Sequence, residues 1–420
     1  MTITRLDVRE ASDFMLTSLA GLPAEHVKLE ASLGRVLAVD VVSPVSLPPH
    51  DNASMDGFAV HSADIAQPSR EAPVRLPVTR VLAAGDGASA VLERGTAMRI
   101  MTGAWIPAGA DSVIRVEDTE SSADSVTILD ARDTGRNIRA MGEDVEAGSV
   151  VMRAGTQVTA AHLGVLASVG CATPSVFRRP RVAILATGDE LVTLEHFDTV
   201  LAGNRIVSSN SYALAAAVHA AGGEPVMLGI APDNPEQLAE CLRKAEGCDV
   251  VLTSGGVSVG DFDYTRTVVT ALGGELSLWR VKMRPGAPLA YGTLFGTPWL
   301  GLPGNPVSAL VTFELFGRPL IRTLGGFSRP HRRTLPVLTG SDITLGAPLT
   351  HFLRVRLDFA TDGLPVASLT GAQSSGMLTS MSAADALLVV PPDPLVVRAG
   401  TTLRALVLDT DLGGGTRLLT

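Results

Sequence analysis

The stretch Thr253-Ser254-Gly255-Gly256-Val257-Ser258-Val259-Gly260-Asp261-Phe262-Asp263-Tyr264 joins a glycine-rich turn to two carboxylates. The apolar run Asp249-Val250-Val251-Leu252 before it reads as a buried strand, and residues 264–272 after it read as a helix. In an open α/β sheet, the C-terminal end of a strand is where ligands bind. Glycines there let backbone N–H groups approach an anion, because no Cβ intervenes. Asp261 and Asp263 at the lip of the turn add the oxygen donors of a divalent cation. An anion cradle beside a carboxylate pair points to a phosphorylated substrate. Gly256-Val257-Ser258-Val259-Gly260 also fits the nucleophile elbow of serine hydrolases. That chemistry needs a downstream histidine, and only His331 and His351 follow, both beyond the α/β pattern. Ser258 is therefore read as part of an anion turn, with the hydrolase kept as an alternative.

Four further segments carry chemistry. Thr187-Gly188-Asp189-Glu190-Leu191 ends another apolar strand, where one carboxylate can cap a helix while its neighbour enters a cleft. Gly301-Leu302-Pro303-Gly304-Asn305-Pro306-Val307-Ser308 opens a helix, so Pro303, Gly304, Asn305 and Pro306 frame a second anion site at the positive end of a helix dipole. In Trp279 to Pro288, extended alternation places Arg280, Lys282 and Arg284 on one face, either solvated or serving as a row of phosphate ligands. His50-Asp51-Asn52-Ala53-Ser54-Met55-Asp56-Gly57-Phe58 is either a pair of Asx-type turns or a loop presenting a functional acid. Neither glycine turn matches the Walker P-loop or the dinucleotide fingerprint.

The elements that must position these residues fall into three parts. Residues 1–178 begin with helical spacing over residues 7 to 33 and contain a β-rich lobe, about 50–140, behind the proline-stiffened connector 43–49. Residues 179–327 alternate strand, turn and helix, which means a mostly parallel sheet covered by helices on both faces. The expected helices there include 211–221 with Asn210 as N-cap, 235–246 capped by Asp233 or Asn234, and a closing helix 306–324. Residues 328–420 read as short strands and turns, an all-β module.

At 420 residues the chain is multidomain, and its net charge of -9 argues against nucleic acid or a membrane surface as partner. Three cysteines without metal-ligand spacing read as reduced thiols of a cytoplasmic protein. The charged N-terminus and the lack of an uninterrupted apolar segment of about 20 residues give no signal peptide or membrane helix.

Taken in order, Asp51 to Gly57, Arg99-Ile100-Met101-Thr102-Gly103-Ala104, Gly142-Glu143-Asp144, Thr187 to Leu191, Ser254 to Asp261 and Gly301 to Pro306 resemble the molybdopterin molybdenumtransferases, the MoeA family, to which the C-terminal domain of gephyrin belongs. The resemblance implies a cytoplasmic homodimer of molybdenum cofactor synthesis that inserts molybdate into adenylylated molybdopterin and releases AMP. It implies a molybdopterin-binding α/β domain, N-terminal helical and β-rich lobes, and a C-terminal β module. It places cleft acids at Asp56, Asp144, Glu190, Asp233 and Asp261, with Thr102 nearby and prolines at Pro303 and Pro306. Glu190, Asp261 and Asp56 are the implied catalytic set, with Mg²⁺ on Glu190 and Asp261. Gly255, Gly256, Ser258, Arg280, Arg284, Gly304 and Asn305 are expected to bind substrate. A molybdopterin adenylyltransferase and apo-molybdoenzymes are the implied neighbours in the pathway. The sequence departs from the family at Ala287, where relatives often carry lysine, and at Arg280 and Arg284, where relatives often have lysine too. It also has His50 where the family is often aromatic. A paralogue or scaffold that binds molybdopterin without turnover is the other reading.

Overall fold

The computed structural model describes residues 3–66, 68–86, 89–130, 132–256, 264–359 and 363–408. Its centre is a seven-stranded sheet in the order Ile3–Leu6, Glu275–Val281, Ala290–Leu294, Thr297–Leu302, Val250–Ser254, Arg181–Thr187, Glu224–Ala231. The last four strands are mutually parallel, and Ala290–Leu294 runs antiparallel to both neighbours. Val182 to Ala186 and Val250 to Leu252 are buried without a break, as strands covered on both faces must be. Helix Ser209–Ala221 and the helical run from Pro306 to Leu324 pack on one face through Leu214, Val218, Val307 and Leu320. Helices Pro235–Arg243 and Thr265–Ala271 pack on the other through Leu238, Leu242, Val268 and Val269.

The chain runs from Arg181–Thr187 outward to Glu224–Ala231, then back across to Val250–Ser254. The order therefore reverses between Arg181–Thr187 and Val250–Ser254, and a crevice opens above their C-terminal ends.

Residues 7 to 33 do not form one helical stretch. Asp7 and Glu10 build a capping box for helix Val8–Leu16, and strand Ala24–His26 and the 3₁₀ turn Leu29–Ser32 follow. The intervening chain docks elsewhere: Leu22 N–H donates to Leu324 O at 2.8 Å, and a Cβ on Gly21 would stand 2.7 Å from the Phe177 ring. The strand Ile3–Leu6 was not expected at all, and it joins the α/β sheet. The closing helix is interrupted by a π turn, Phe313–Gly317, just before Pro319. Proline cannot supply an i→i−4 hydrogen bond, and the wider turn accommodates its ring.

The β-rich lobe is a six-stranded sheet in the order Ser112–Arg115, Gly57–Val60, Ala97–Ile100, Val74–Leu82, Ser125–Ile128, Thr119–Ser121. Residue 57 must be glycine, since a Cβ there would collide with Ile114 O. In the C-terminal module, Thr334–Thr339, Thr350–Asp358, Val366–Leu369, Ala386–Val390 and Thr402–Val407 close into a barrel through pairing of Thr350–Asp358 with Ala386–Val390. Arg332 grips Glu314 of the π turn with two bonds of 2.8 and 3.0 Å and also reaches Leu408 O, fixing the linker to the barrel.

Candidate functional site

A cleft of about 550 Å³ occupies the crevice at the switch point. Three glycines shape its floor. Gly188, Gly255 and Gly256 take φ of 143°, 96° and 68°, all costly for other residues. A Cβ on Gly255 would stand 2.7 Å from Thr187 Oγ1, and one on Gly256 would overlap Thr265 Oγ1. The two strand ends can thus close together only with glycine there. Gly255 is not itself an anion donor, because its N–H donates to Leu302 O at 3.1 Å. Gly256 is the last described residue of this turn and lines the cleft. In the opposite turn Pro306 has no N–H and Val307 N–H donates to Ser375 O, which leaves Gly304 and Asn305 to present N–H groups.

Asn210 was expected to cap a helix, but the cap position is Ser208 and Asn210 sits in the first turn. Its Nδ2 donates to Ser254 Oγ and to Gly304 O, both at 2.8 Å. One amide therefore ties the two glycine turns together. Sequence reasoning missed this role because an asparagine at a helix start has the same appearance in either case. The same helix opens on the cleft through Ser208, Ser209 and Asn210, so its positive end faces the space between the turns.

Asp189 does not cap a helix either. Asp233 N–H donates to Asp189 Oδ1 at 3.1 Å, and Asp189 N–H donates to Asp233 Oδ2 at 3.3 Å. This reciprocal pair staples two strand ends. Asn234, not Asp233, caps helix Pro235–Arg243. Glu190 lines the cleft with an exposed carboxylate.

The structure brings Glu190, Asp233, Gly255, Gly256, Pro303, Gly304, Asn305 and Pro306 to this one cleft. Ser258 and Asp261 lie outside the described residues. Asp56, Thr102 and Asp144 are not among the residues that line it; they belong to the N-terminal part of the chain. Asp56 and Thr102 do meet, with the Thr102 N–H and hydroxyl both donating to Asp56 Oδ1 at 2.7 Å. These bonds, the backbone one foremost, hold the Asp56 carboxyl below its usual range. Asp51 instead accepts from Met141 N–H at 2.7 Å and organises its own loop. Asp144 is exposed.

The single row of cations is not found. Arg280 takes φ of 69°, which breaks the extended alternation, and its guanidinium lies 4.6 Å from the Trp279 ring. Arg284 lines a neighbouring groove of about 790 Å³ between the α/β unit and the barrel. That groove shares Pro288, Pro303 and Asn305 with the cleft, so the two are continuous. Neither His331 nor His351 lines the cleft, and His351 Nε2 faces Ala347 O at 3.2 Å. Among the described residues no three His, Cys, Asp or Glu side chains converge on a metal position. No helix among them is long and apolar enough to cross a membrane.

Three family models match the chain in order. They are the MoeA N-terminal region (domain I and II) over residues 6–170, a probable molybdopterin binding domain over 183–323, and the MoeA C-terminal region (domain IV) over 336–408. A molybdopterin molybdenumtransferase of Nostoc sp. is 39% identical over 390 residues, covering 91% of this chain and 88% of its own. Molybdopterin molybdenumtransferase 2 of Mycobacterium tuberculosis is 39% identical over 384 residues, covering 90% of this chain and 93% of its own. The crystal structure of the molybdopterin biosynthesis moeA protein of Pyrococcus horikoshii superposes with a TM-score of 0.81 at 28% identity, covering 96% of this chain and all of that one.

Proposed function

The chain belongs to the molybdopterin molybdenumtransferase family, and we propose that the switch-point cleft is where it transfers molybdenum to molybdopterin. It is a transferase of molybdenum cofactor synthesis. The substrates on this reading are molybdate and adenylylated molybdopterin, and AMP leaves as the metal is inserted at the dithiolene. The observation that carries the reading is the pair of glycine turns, tied by Asn210, facing each other beside Glu190. Backbone N–H groups of Gly256, Gly304 and Asn305, with the start of helix Ser209–Ala221, suit the phosphates of a nucleotide-linked substrate. A volume of about 550 Å³ suits a ligand of that size.

Magnesium belongs to the same proposal. Glu190 offers hard carboxylate oxygens to the cleft, the donor type a magnesium ion takes, and Asp261 is its proposed partner ligand. Bound there, the ion would offset the repulsion between carboxylates and pyrophosphate and lower the pKa of a bound water. Asp233, already paired with Asp189, positions the strand ends.

A homodimer completes the site on this reading. Asp56 and Thr102 form a preorganised acid–hydroxyl pair that does not reach the cleft of its own chain. Leu194, Phe197, Leu201, Ile206 and Tyr212, all exposed, follow the cleft acid Glu190 in sequence, and Ile206 lines the cleft. A second copy covering this face would remove their apolar surface from water and bring its own Asp56 to the cleft. The thiols Cys171, Cys241 and Cys248 are free, which fits the cytoplasm. The test is to mix the pure protein with adenylylated molybdopterin, molybdate and Mg²⁺ and to measure AMP. AMP release that depends on molybdate is expected; no AMP, or AMP at the same rate without molybdate, contradicts the proposal.

A further inference from the structure

A second cavity, of about 210 Å³, lies where the N-terminal part of the chain meets the α/β unit. It sits at the far end of helix Ser209–Ala221, roughly 18 Å along the axis from the cleft at about 1.5 Å per residue. Arg35, Arg178, Arg179, Arg322, His219 and Phe327 line it. Two of the arginines are neutralised: Arg35 donates to Glu25 and Phe177 O, and Arg178 grips Asp249 with two bonds of 2.7 and 2.9 Å. Arg179 and Arg322 form no ion pair among the described residues.

Arg322 is the informative one. Its Nε is buried and has no hydrogen-bond partner among the described residues, while its guanidinium packs 3.7 Å from the centre of the Phe327 ring. Burial first, then the nearby Arg318 and Arg332, push it down to about 10. One carboxylate, Glu314, lies in this cluster, and Arg332 already holds it with two bonds.

An arginine in the last turn of a helix ordinarily serves the free carbonyls there. Here backbone N–H groups have taken them. Phe327 N–H donates to Arg322 O, Gly325 N–H to Ile321 O and Gly326 N–H to Thr323 O, at 3.0, 2.9 and 3.0 Å. On the facing helix end, Gly222 N–H donates to His219 O and Gly223 N–H to Val218 O, at 2.9 and 3.0 Å. Among the described residues the Arg322 guanidinium bonds none of these carbonyls, while Arg318 takes Ala220 O at 3.3 Å. A buried donor without a partner takes water or a group from outside the chain, and beside two cations without ion pairs an anion is the favoured group.

We propose that this cavity is an oxyanion site, in which Arg322 and Arg179 bind a phosphate-type group against the Phe327 wall. The volume admits a tetrahedral oxyanion with waters and is too small for a nucleotide. The ion is either free phosphate or the phosphoryl end of a larger molecule. The inference does not depend on what the cleft does.

Inorganic phosphate and glycerol phosphate are the two probes, each titrated calorimetrically into the wild-type protein, Arg322→Gln and Arg179→Gln. Both variants lie at the cavity, so cleft binding cannot mimic their effect. A saturable binding event that weakens roughly tenfold or more in each variant is expected. Tighter binding of inorganic phosphate identifies the free ion, and tighter binding of the ester identifies a larger ligand; both uphold the site. A melting series adds a second readout. Arg322→Met should melt higher than wild type in phosphate-free buffer and should lose the phosphate-dependent rise, because it removes an uncompensated charge. Arg179, half-buried, provides a variant that keeps the core intact. Titrations that are the same in wild type and both variants, or no binding of either probe, overturn the proposal.

Discussion

The α/β cleft and the N-terminal lobe both present acids, but they hold them in different ways. Glu190 and Asp233 stand beyond neighbouring parallel strands whose register sets Thr187 beside Ala231 and Ala186 beside Ser254. A parallel sheet brings such strand ends together whatever the loops contain. Asp56 stands just before strand Gly57–Val60, which is antiparallel to both its neighbours in the mixed lobe sheet, and is held by Thr102. Topology gathers the cleft acids at one place, whereas on the proposed function the Asp56–Thr102 pair acts only at the cleft of a second copy.

The largest effect is expected in the cleft. Glu190→Gln keeps the shape and removes the carboxylate. It should slow AMP release by about 100-fold or more, while affinity for the adenylylated substrate changes little. Single-turnover AMP release and equilibrium binding measure the two separately. Unchanged turnover would remove Glu190 from the chemistry.

Next comes the tie between the turns. Asn210→Ala removes both donor bonds and lets the two glycine turns separate. Substrate affinity should fall roughly tenfold and stability by about 1–2 kcal/mol, read by titration and urea unfolding. Asn210→Asp, which lacks the donor, should lose affinity as well. If both variants bind like wild type, the turns are held by something else.

A smaller change is expected at the groove shared by the cleft and the barrel, where Ala287 lies close to Arg284. Ala287→Lys should tighten binding of the adenylylated substrate a few-fold at low salt, with the gain shrinking as salt screens it. No gain at low salt would mean that the present residues already satisfy that phosphate.

The smallest effect is on stability against pH. Burial, and then Arg284, pull His351 below its usual 6.5. The unfolded chain therefore binds more protons as pH falls through 6.5, so His351 lets stability stand at neutral pH and drains it on acidification. His351→Gln should flatten the urea stability curve between about pH 7 and 5. Some slope remains, because burial also lowers His331. An identical slope in the variant would contradict the assignment.

Much of the cleft was legible in the residues. Short continuous apolar runs such as 182–186 and 250–252, bounded by turn signals, read as buried strands, and glycine at their ends marks where backbones close together. What could not be read depends on distant partners or on backbone detail. Ile3–Leu6 becomes a strand only by pairing with Glu275–Val281, far along the chain. The positive φ of Arg280 cancels an alternation that the letters alone imply. Asn210 looks like any helix cap until the second glycine turn is beside it. The cationic cavity needs Arg179 and Arg322 to meet across two parts of the chain, and no local pattern records that.

On the proposed function the cleft is an active site completed by Asp56 of a second copy. Asp56→Ala and Glu190→Ala proteins, each refolded alone, should be inactive. Unfolded together in equal amounts and refolded, they should recover about one quarter of the wild-type rate of AMP release, since half the dimers are mixed and each mixed dimer has one intact cleft. No recovery in verified mixed dimers, or full activity of Asp56→Ala alone, would contradict the shared cleft.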